Sequence, residues 1–439
     1  MKRISIVGIG KLGLPLAAAV ASRGYHVTGF DTDAAKISRF EKGNFPYEPG
    51  LGKLVERYRS RIRFTHSLQD ISDSSITFVV VPTPSTKKGS FSNRHLASAL
   101  RGIGRTLRSK KAFHVVCVTS TVLPGSMGCL RETLEKASGK RCGRDFGLCY
   151  NPAFIALGNV IHNFLHPDFV LIGESDRRSG RILESFYLHF CRSQARIHRM
   201  NFVNAELAKI AVNTFVTMKI SFGNMLARMC ERLPGAHSEI VTQAIGSDRR
   251  IGGHYLKGAL GYGGPCFPRD NKAFSYVARE LGLRAFAAEA TDKINNLQVR
   301  WLARFVESEA QPKDRIAILG LSYKPDTDVI EESQGIDLAK ALLRRKRRLI
   351  LYDPASMGPA RQALGDRVAF AKNLSECLTS AEVVVITTPW RSFKEFRPAD
   401  MMSRNGHPKK IIDPWRILEN RNHLNGVEYI PLGISLQRK

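Results

Sequence analysis

Short apolar runs alternate with amphipathic stretches near both ends of the chain, while the middle keeps helical spacing throughout. Arg3–Val7 is a β-branched run of the kind that forms a buried parallel strand. Glycines 8, 10 and 13 follow it, and Leu14–Ser22 then reads as an alanine-rich helix. Tyr25–Asp31, Ile76–Val81 and His114–Thr119 are further strand-like runs. Residues 203–231 carry apolar positions at helical spacing and predict one long helix. The alternation resumes with a strand at Arg315–Leu319, a helix over 334–346, and strands at Leu349–Tyr352, Glu382–Thr388 and Lys410–Asp413. The pattern predicts an α/β protein with two doubly wound parallel sheets joined by a central helical region. The expected divisions are 1–200, 201–311 and 312–439, with Pro312 and its polar neighbours marking the last boundary.

Gly8, Gly10 and Gly13 form G-x-G-x-x-G between a strand and a helix. The first glycine permits the tight turn, the second lets the backbone approach a pyrophosphate, and the third allows close helix–strand packing. Asp31 ends the second strand-like run, 23 residues after Gly8, where an acid bonds the ribose hydroxyls of NAD and repels the extra phosphate of NADP. Lys36, five residues on, is a base able to accept such a phosphate, but the balance favours NAD as cofactor. The first domain is therefore expected to be Rossmann-like. Pro82 and Thr83 follow the third run, and Ser120 and Thr121 the fourth, at the carboxyl ends of strands where open α/β sheets bind ligands. Spacing alone would also allow these segments to be plain turns.

Lys209 and Asn213 are four apart on the long helix and share a face, which suits an oxygen-binding site, although solvated helix positions follow the same pattern. Gly261-Tyr262-Gly263-Gly264-Pro265-Cys266-Phe267-Pro268-Arg269-Asp270 sets a cysteine among glycines, prolines and a nearby cation. Such a backbone can approach a ligand closely, and an activated thiol there is a candidate nucleophile. A single cysteine in a reduced protein is more often buried packing.

Composition changes this picture in three ways. The 439 residues carry 67 Lys+Arg against 39 Asp+Glu, a net charge of +28 that favours anionic partners such as nucleic acid, acidic lipid or a phosphorylated metabolite. The basic residues are scattered, apart from short clusters at Arg344–Arg348 and Arg108–Lys111, so the expectation is a solvated surface without a dedicated nucleic-acid face. Eight cysteines at irregular spacings, without a CxxC pair, predict a reduced cytoplasmic protein with neither a disulfide scaffold nor a metal site. No run approaches the roughly 18 apolar residues of a membrane span. The basic start and apolar stretch of the first residues imitate a signal peptide, but glycines 8, 10 and 13 interrupt it at a functional spacing, so it is read as retained structure.

Taken together, the motifs resemble the UDP-glucose/GDP-mannose dehydrogenase family, NAD-dependent enzymes that oxidise the C6 alcohol of a nucleotide-sugar to a carboxylate. The likeness is carried, in order, by GIGKLGLPLA, Phe45–Leu51 (FPYEPGL), VVVPTP, TSTVLPG, Asn151–Gly158 (NPAFIALG), ELAKIAVN, GYGGPCF with RD, Leu319–Asp328 (LGLSYKPDTD) and YDP at 352–354. The resemblance implies that Cys266 is the nucleophile, which adds to a C6 aldehyde and passes through a thiohemiacetal to a thioester that water opens. It implies that Lys209 and Asn213 steady the oxyanion, that Asp270 organises base and water, and that Thr121 lies near cofactor and sugar. Leu12 joins Gly8, Gly10, Gly13, Asp31, Lys36, Pro82, Thr83 and Thr121 as cofactor-binding positions. Phe154, Arg250, Lys257, Tyr262, Gly263, Lys324 and Arg416 join Lys209 and Asn213 as substrate-binding positions, with Arg250 matching an arginine that reaches the nucleotide across a dimer interface. A UDP-sugar substrate, a role in polysaccharide biosynthesis, a homodimer or a multiple of it, and a C-terminal domain holding the nucleotide follow from the same likeness.

Three segments depart from the family pattern. Ala153 and Leu157 stand where the loop usually carries glutamates, the first of which is associated with the water that opens the thioester. Glu331 stands where an arginine is common near the cofactor, and Arg416 matches the C-terminal arginine only by alignment. Two alternatives stay open: a nucleotide-sugar- or NAD-binding homologue impaired in turnover, and a β-hydroxyacid dehydrogenase, which shares the dinucleotide domain but needs neither the thiol nor a third domain.

Overall fold

The computed structural model describes residues 3–395, 409–419 and 426–435. Two compact units divide within the long helix Phe202–Cys230, as Met1–Ala211 and Val212–Lys439.

The first unit is built on eight strands: β1 (Arg3–Val7), β2 (His26–Phe30), β3 (Ile62–Thr65), β4 (Ile76–Val79), β5 (Val115–Val118), β6 (Gly147–Tyr150), β7 (Phe169–Glu174) and β8 (Arg196–Met200). Their order is β3-β2-β1-β4-β5-β6-β7-β8. Every neighbouring pair is parallel except β6 with β7, which is antiparallel and departs from the expected uniform sheet. β4, β5 and β6 are buried along their whole length, which is why they read as continuous apolar runs and not as alternations. Apolar clusters cover both faces, one around Ile6, Leu14 and Phe186 and the other around Val7, Leu100 and Val118.

Register brings the ends of three strands together. Val7 pairs with both Phe30 and Val79, so Gly8, Asp31 and Val80 emerge side by side at the carboxyl edge. Gly8 turns there at φ 94°, its N–H donating to Phe30 O at 2.8 Å. A Cβ at Gly8 would lie 2.3 Å from Val80 O, and one at Gly13 would lie 1.9 Å from Gly8 O. A Cβ at Gly10 would meet nothing within 4 Å. The outer two glycines are thus required by packing, and the middle one by whatever approaches from outside.

The second unit begins with helices, Ser238–Gly246, Phe267–Glu280 and Phe286–Glu309 following the long one. Its sheet comprises β9 (Arg315–Leu319), β10 (Arg348–Tyr352), β11 (Ala369–Phe370), β12 (Val383–Ile386), β13 (Lys409–Asp413) and β14 (Val427–Pro431), in the order β11-β10-β9-β12-β13-β14 and parallel throughout. The first strand of each sheet is flanked by its second and fourth, so the two units repeat one topology.

The acids at the ends of β2 and β10 are treated differently. Asp353 is buried, and its Oδ2 accepts from Leu321 N (2.7 Å), Ser322 N and Oγ (both 3.0 Å) and Trp390 Nε1 (3.1 Å). Its Oδ1 accepts from Ala355 N and Ser356 N, both at 2.8 Å. The carboxylate is consumed by two turns and an indole and has no capacity left for a ribose. Replacing it leaves several buried donors unpaired, each costing about 1–3 kcal/mol. Asp353→Ala is expected to destabilise the second unit by about 3 kcal/mol or more, read as a lower urea midpoint. An unchanged midpoint would mean that water satisfies those donors.

Candidate active site

At the carboxyl edge of the first sheet, Asp31 is buried to its last few percent. Its Oδ1 accepts from Asp33 N at 3.1 Å and its Oδ2 from Lys36 Nζ at 2.8 Å. Lys36 is therefore committed to the carboxylate it follows, and each Asp31 oxygen keeps a lone pair for a hydroxyl. Leu12 is half-buried against the apolar core at the turn, and Pro82 is exposed. Thr83 is buried and donates from Oγ1 to Thr121 O at 2.8 Å. Ser120 Oγ accepts from Val81 N at 2.9 Å and donates to Val81 O at 2.6 Å. These cross-links hold the segments after β4 and β5 together and leave Thr121 partly open.

Two glutamates that the sequence reading did not single out anchor the loops. Glu206, fully buried on the long helix, accepts from Gly125 N and Met127 N at 2.7 Å each, holding the TSTVLPG segment at the start of helix Ser126–Ser138. Burial pushes its pKa up, and those amides pull it back. Glu48 accepts from Gly158 N at 2.8 Å and Val160 N at 2.7 Å, tying FPYEPGL to the loop Asn151–Gly158. Both lay inside motifs already quoted, but nothing in their spacing revealed which amides they hold.

In that loop Lys209 Nζ donates to Ala153 O at 2.9 Å and sits 4.5 Å from the centroid of the Phe154 ring, which itself packs on Phe169. Ala153 thus serves Lys209 through its backbone carbonyl. The side chains of Ala153 and Leu157 are partly buried against the apolar core.

In the second unit Cys266 is exposed immediately before helix Phe267–Glu280, which carries a proline in its first turn. By contrast, burial pushes the Cys117, Cys149 and Cys377 thiols well up, which makes them inert. Asp270, one turn into the helix, is wholly buried. Its Oδ2 accepts from Asn213 Nδ2 at 2.6 Å, and its Oδ1 pairs with Arg269, whose Nε donates at 3.1 Å. Asn213 and Asp270, far apart in sequence, are thereby joined.

Glycines set the cysteine loop against LGLSYKPDTD. A Cβ at Gly263 would lie 2.2 Å from Glu332 O, and one at Gly264, at φ +82°, would lie 2.5 Å from the Tyr323 ring. Gly264 N donates to Glu331 O at 3.0 Å, so Glu331 contributes its backbone at the position where its charge departs from the family. Tyr262 donates from Oη to Asp292 Oδ1 at 2.6 Å, and its N–H donates to Asn295 Oδ1 at 2.8 Å. Burial, then Asp292, push the phenol well up. Lys324 is half-buried in the facing loop.

The remaining expected contacts are engaged within the protein. Arg250 is exposed and paired with Asp248 (Nη2–Oδ2 2.6 Å), and Lys257 is paired with Glu239. Arg416 has its side chain enclosed, donating to Pro414 O at 2.9 Å, Leu432 O at 2.5 Å and Gly258 O at 2.7 Å. Any effect of Arg416 on a ligand therefore passes through the Gly258 loop it holds.

Three models of the UDP-glucose/GDP-mannose dehydrogenase family match in succession: the NAD binding domain over residues 2–191, the central domain over 203–297 and the UDP binding domain over 317–420. The chain is 33% identical over 428 residues to the UDP-glucose 6-dehydrogenase AglM of Haloferax volcanii, covering 96% of this chain and 98% of that protein. It is 30% identical over 428 residues to a GDP-mannose 6-dehydrogenase of Pseudomonas putida, covering 94% and 95%. The solved structure of a UDP-glucose dehydrogenase from the hyperthermophilic archaeon Pyrobaculum islandicum superposes with a TM-score of 0.89 at 31% identity, covering 99% of this chain and 98% of that one.

The fold and these matches define an NAD-dependent oxidoreductase of the nucleotide-sugar dehydrogenase class. The chain belongs to the UDP-glucose/GDP-mannose dehydrogenase family. The residues present fit the cofactor: open space at Gly10, a tight turn at Gly8, and a carboxylate with free lone pairs at Asp31. Asp31→Asn removes the charged acceptor and releases Lys36. Fluorescence titration is expected to show NAD affinity falling about tenfold, with NADP gaining relative to NAD. An unchanged NAD/NADP ratio would remove Asp31 from ribose recognition.

Proposed function

We propose that this protein oxidises the C6 alcohol of a UDP-sugar to the uronic acid, a four-electron reaction that passes through a covalent adduct on Cys266. The observation that carries the reading is the exposed Cys266 at a helix N-terminus, with the buried Asp270–Asn213 pair one turn further in. NAD, held by the turn at Gly8, Gly10 and Gly13 and by Asp31, supplies the hydride acceptor for both oxidations.

Cys266 Sγ adds as thiolate to the C6 aldehyde, forming the C–S bond while the carbonyl electron pair moves onto oxygen. That oxygen is steadied by the Lys209 ammonium and the Asn213 amide. The adduct retains the aldehyde and presents a tetrahedral carbon that a second oxidation converts to a thioester. Water then adds to the thioester carbon, and the C–S bond breaks to release the acid and return the thiol. Asp270 keeps an acceptor on each oxygen beside its bonds to Asn213 and Arg269, and it orients the amide and the cysteine turn. Thr121, Phe154, Tyr262, Gly263, Lys257, Lys324 and Arg250 surround the substrate in this reading, and the domain from 312 onward holds its nucleotide.

The long helix exposes Phe215, Phe222, Met225 and Met229, spaced by seven, three and four residues along one stripe. Such a seam supports a homodimer through this helix. None of the eight cysteines is in a disulfide, which is the basis for placing the protein in a reducing cytoplasm. Ala153 and Leu157 favour a second reading, in which thioester opening is slow or lost.

With excess NAD and a panel of UDP- and GDP-sugars, two NADH per sugar are expected in repeated turnover on a UDP-sugar. A burst that stops near two per active site would select the impaired reading, and silence with NAD still bound would leave a binding protein. Cys266→Ser is expected to lower acid formation by about a thousandfold or more, and normal turnover in that variant would sink the covalent route. If the missing acid limits the rate, Ala153→Glu speeds thioester breakdown, a general base contributing about 10²–10⁴-fold. Stopped-flow deacylation rates would register that change or its absence.

A further inference from the structure

The basic run Arg108–Lys111 has no part in the reaction described above. The structure folds it into a hollow of about 480 Å3, completed by Phe113, Lys140, Arg144, Asp145 and Arg178. The hollow lies before β5 and β6, which begin at Val115 and Gly147, at the edge of the first sheet opposite Gly8 and Asp31.

Six cations line it against a single carboxylate, Asp145, which Arg144 already chelates through Nε–Oδ1 at 3.0 Å and Nη2–Oδ2 at 2.8 Å. The other cations are held mainly by neutral groups. Arg108 Nε donates to Ala137 O at 2.8 Å, and Lys140 Nζ donates to Lys110 O. The first caps a carbonyl in the last turn of helix Ser126–Ser138, and the second ties Lys140 to a loop carbonyl. Lys110 is held differently. Its Nζ donates to Ser72 O at 2.7 Å and to Ser74 O, and meets His114 Nδ1 at 2.9 Å. His114 is buried and bonds to Thr77 Oγ1 at 2.8 Å, which bonds to Ser5 Oγ at 2.6 Å. A chain of polar groups rooted in β4 and β1 thus fixes this ammonium in place.

Carbonyls orient a cation without cancelling its charge, so the hollow keeps an excess of positive charge, part of it on groups held in place such as Lys110. Burial lowers Lys110 to about 8, with Lys140 reinforcing and Asp73 opposing. Lys111 and Arg178 are exposed at the mouth. The Arg178 guanidinium carbon lies 3.7 Å from the Phe113 ring centroid, a stack that holds the plane and leaves its N–H edge for oxygen acceptors. The volume falls within the roughly 300–1,000 Å3 of small-molecule sites.

We propose that this hollow binds a condensed phosphate, a small anion carrying several linked phosphate groups. Several fixed charges around one concavity match several charges along one chain. Inorganic polyphosphate and the phosphate chain of a nucleotide share this chemistry.

The test is calorimetric titration of sodium tripolyphosphate into the full-length protein, with saturating NAD and UDP present to occupy the reaction's own phosphate sites. The wild type is compared with the double variant Lys111→Glu/Arg178→Glu, whose exposed positions leave the core intact. One equivalent is expected to bind the wild type, with Kd rising at least about tenfold in the variant while NAD affinity and Tm hold. ATP binding at the same site more tightly than tripolyphosphate would name a nucleotide as the source, and equal or weaker binding would name the phosphate chain alone. Either supports the site. No heat of binding, or a Kd that the double variant leaves unchanged, would overturn it. Tripolyphosphate failing where a single-stranded oligonucleotide binds would also overturn it, in favour of a nucleic-acid face.

Discussion

The loops of this protein depend on carboxylates that accept backbone amides. Glu48 holds Gly158 and Val160, Glu206 holds Gly125 and Met127, Asp353 holds four amides of two turns, and Asp413 holds those of Trp415 and Leu418. A loop at a strand end has amides with no partner in the sheet, and each would be costly to bury unpaired. A charged acceptor satisfies two or more at once and fixes their direction. The chain has fewer acids than bases, and several of those acids are committed to architecture.

That division shapes the electrostatics of the whole molecule. Where an acid meets a ligand-ready edge, as Asp31 does, a neighbouring lysine moderates it without exhausting its acceptors. Where an acid lies one turn beyond the exposed cysteine, as Asp270 does, it is enclosed between an amide and a guanidinium. Among the described residues, part of the excess of bases lines the hollow beneath β5 and β6. A nucleotide-sugar is itself a polyanion, so a basic surface assists its encounter.

Glycines are the complement of these anchors. Gly8 and Gly13 in the first unit, and Gly263 and Gly264 in the second, each sit where a Cβ would strike backbone or an aromatic ring. They allow the approach that the carboxylates then lock. In the loop that contains Ala153, Lys209 bonds to the carbonyl and Glu48 to the amides, so its backbone is held without a carboxylate at 153. Shape and acid–base capacity are separable here, which makes Ala153→Glu an informative variant.

The chain's own pattern was enough for the dinucleotide turn, the long helix and the principal strands, because β-branched runs between turn residues have few other ways to bury themselves. The helix expected at 203–231 spans Phe202–Cys230, and β1 and β9 match their expected limits. Short or mixed strands such as β3, β11 and β14 left no such mark, since two to five residues of ordinary polarity gain strand geometry only from the neighbour they pair with. The candidate residues were legible from local motifs. Their partnerships were not: Asn213 with Asp270, Tyr262 with Asp292, Glu48 with the loop at 158–160, and Arg416 drawn inward. Hydrogen bonding and burial join residues that the chain separates by tens to hundreds of positions. Local sequence therefore determined which chemical groups are present and on which elements, and only the tertiary structure decided which of them remain available to a ligand.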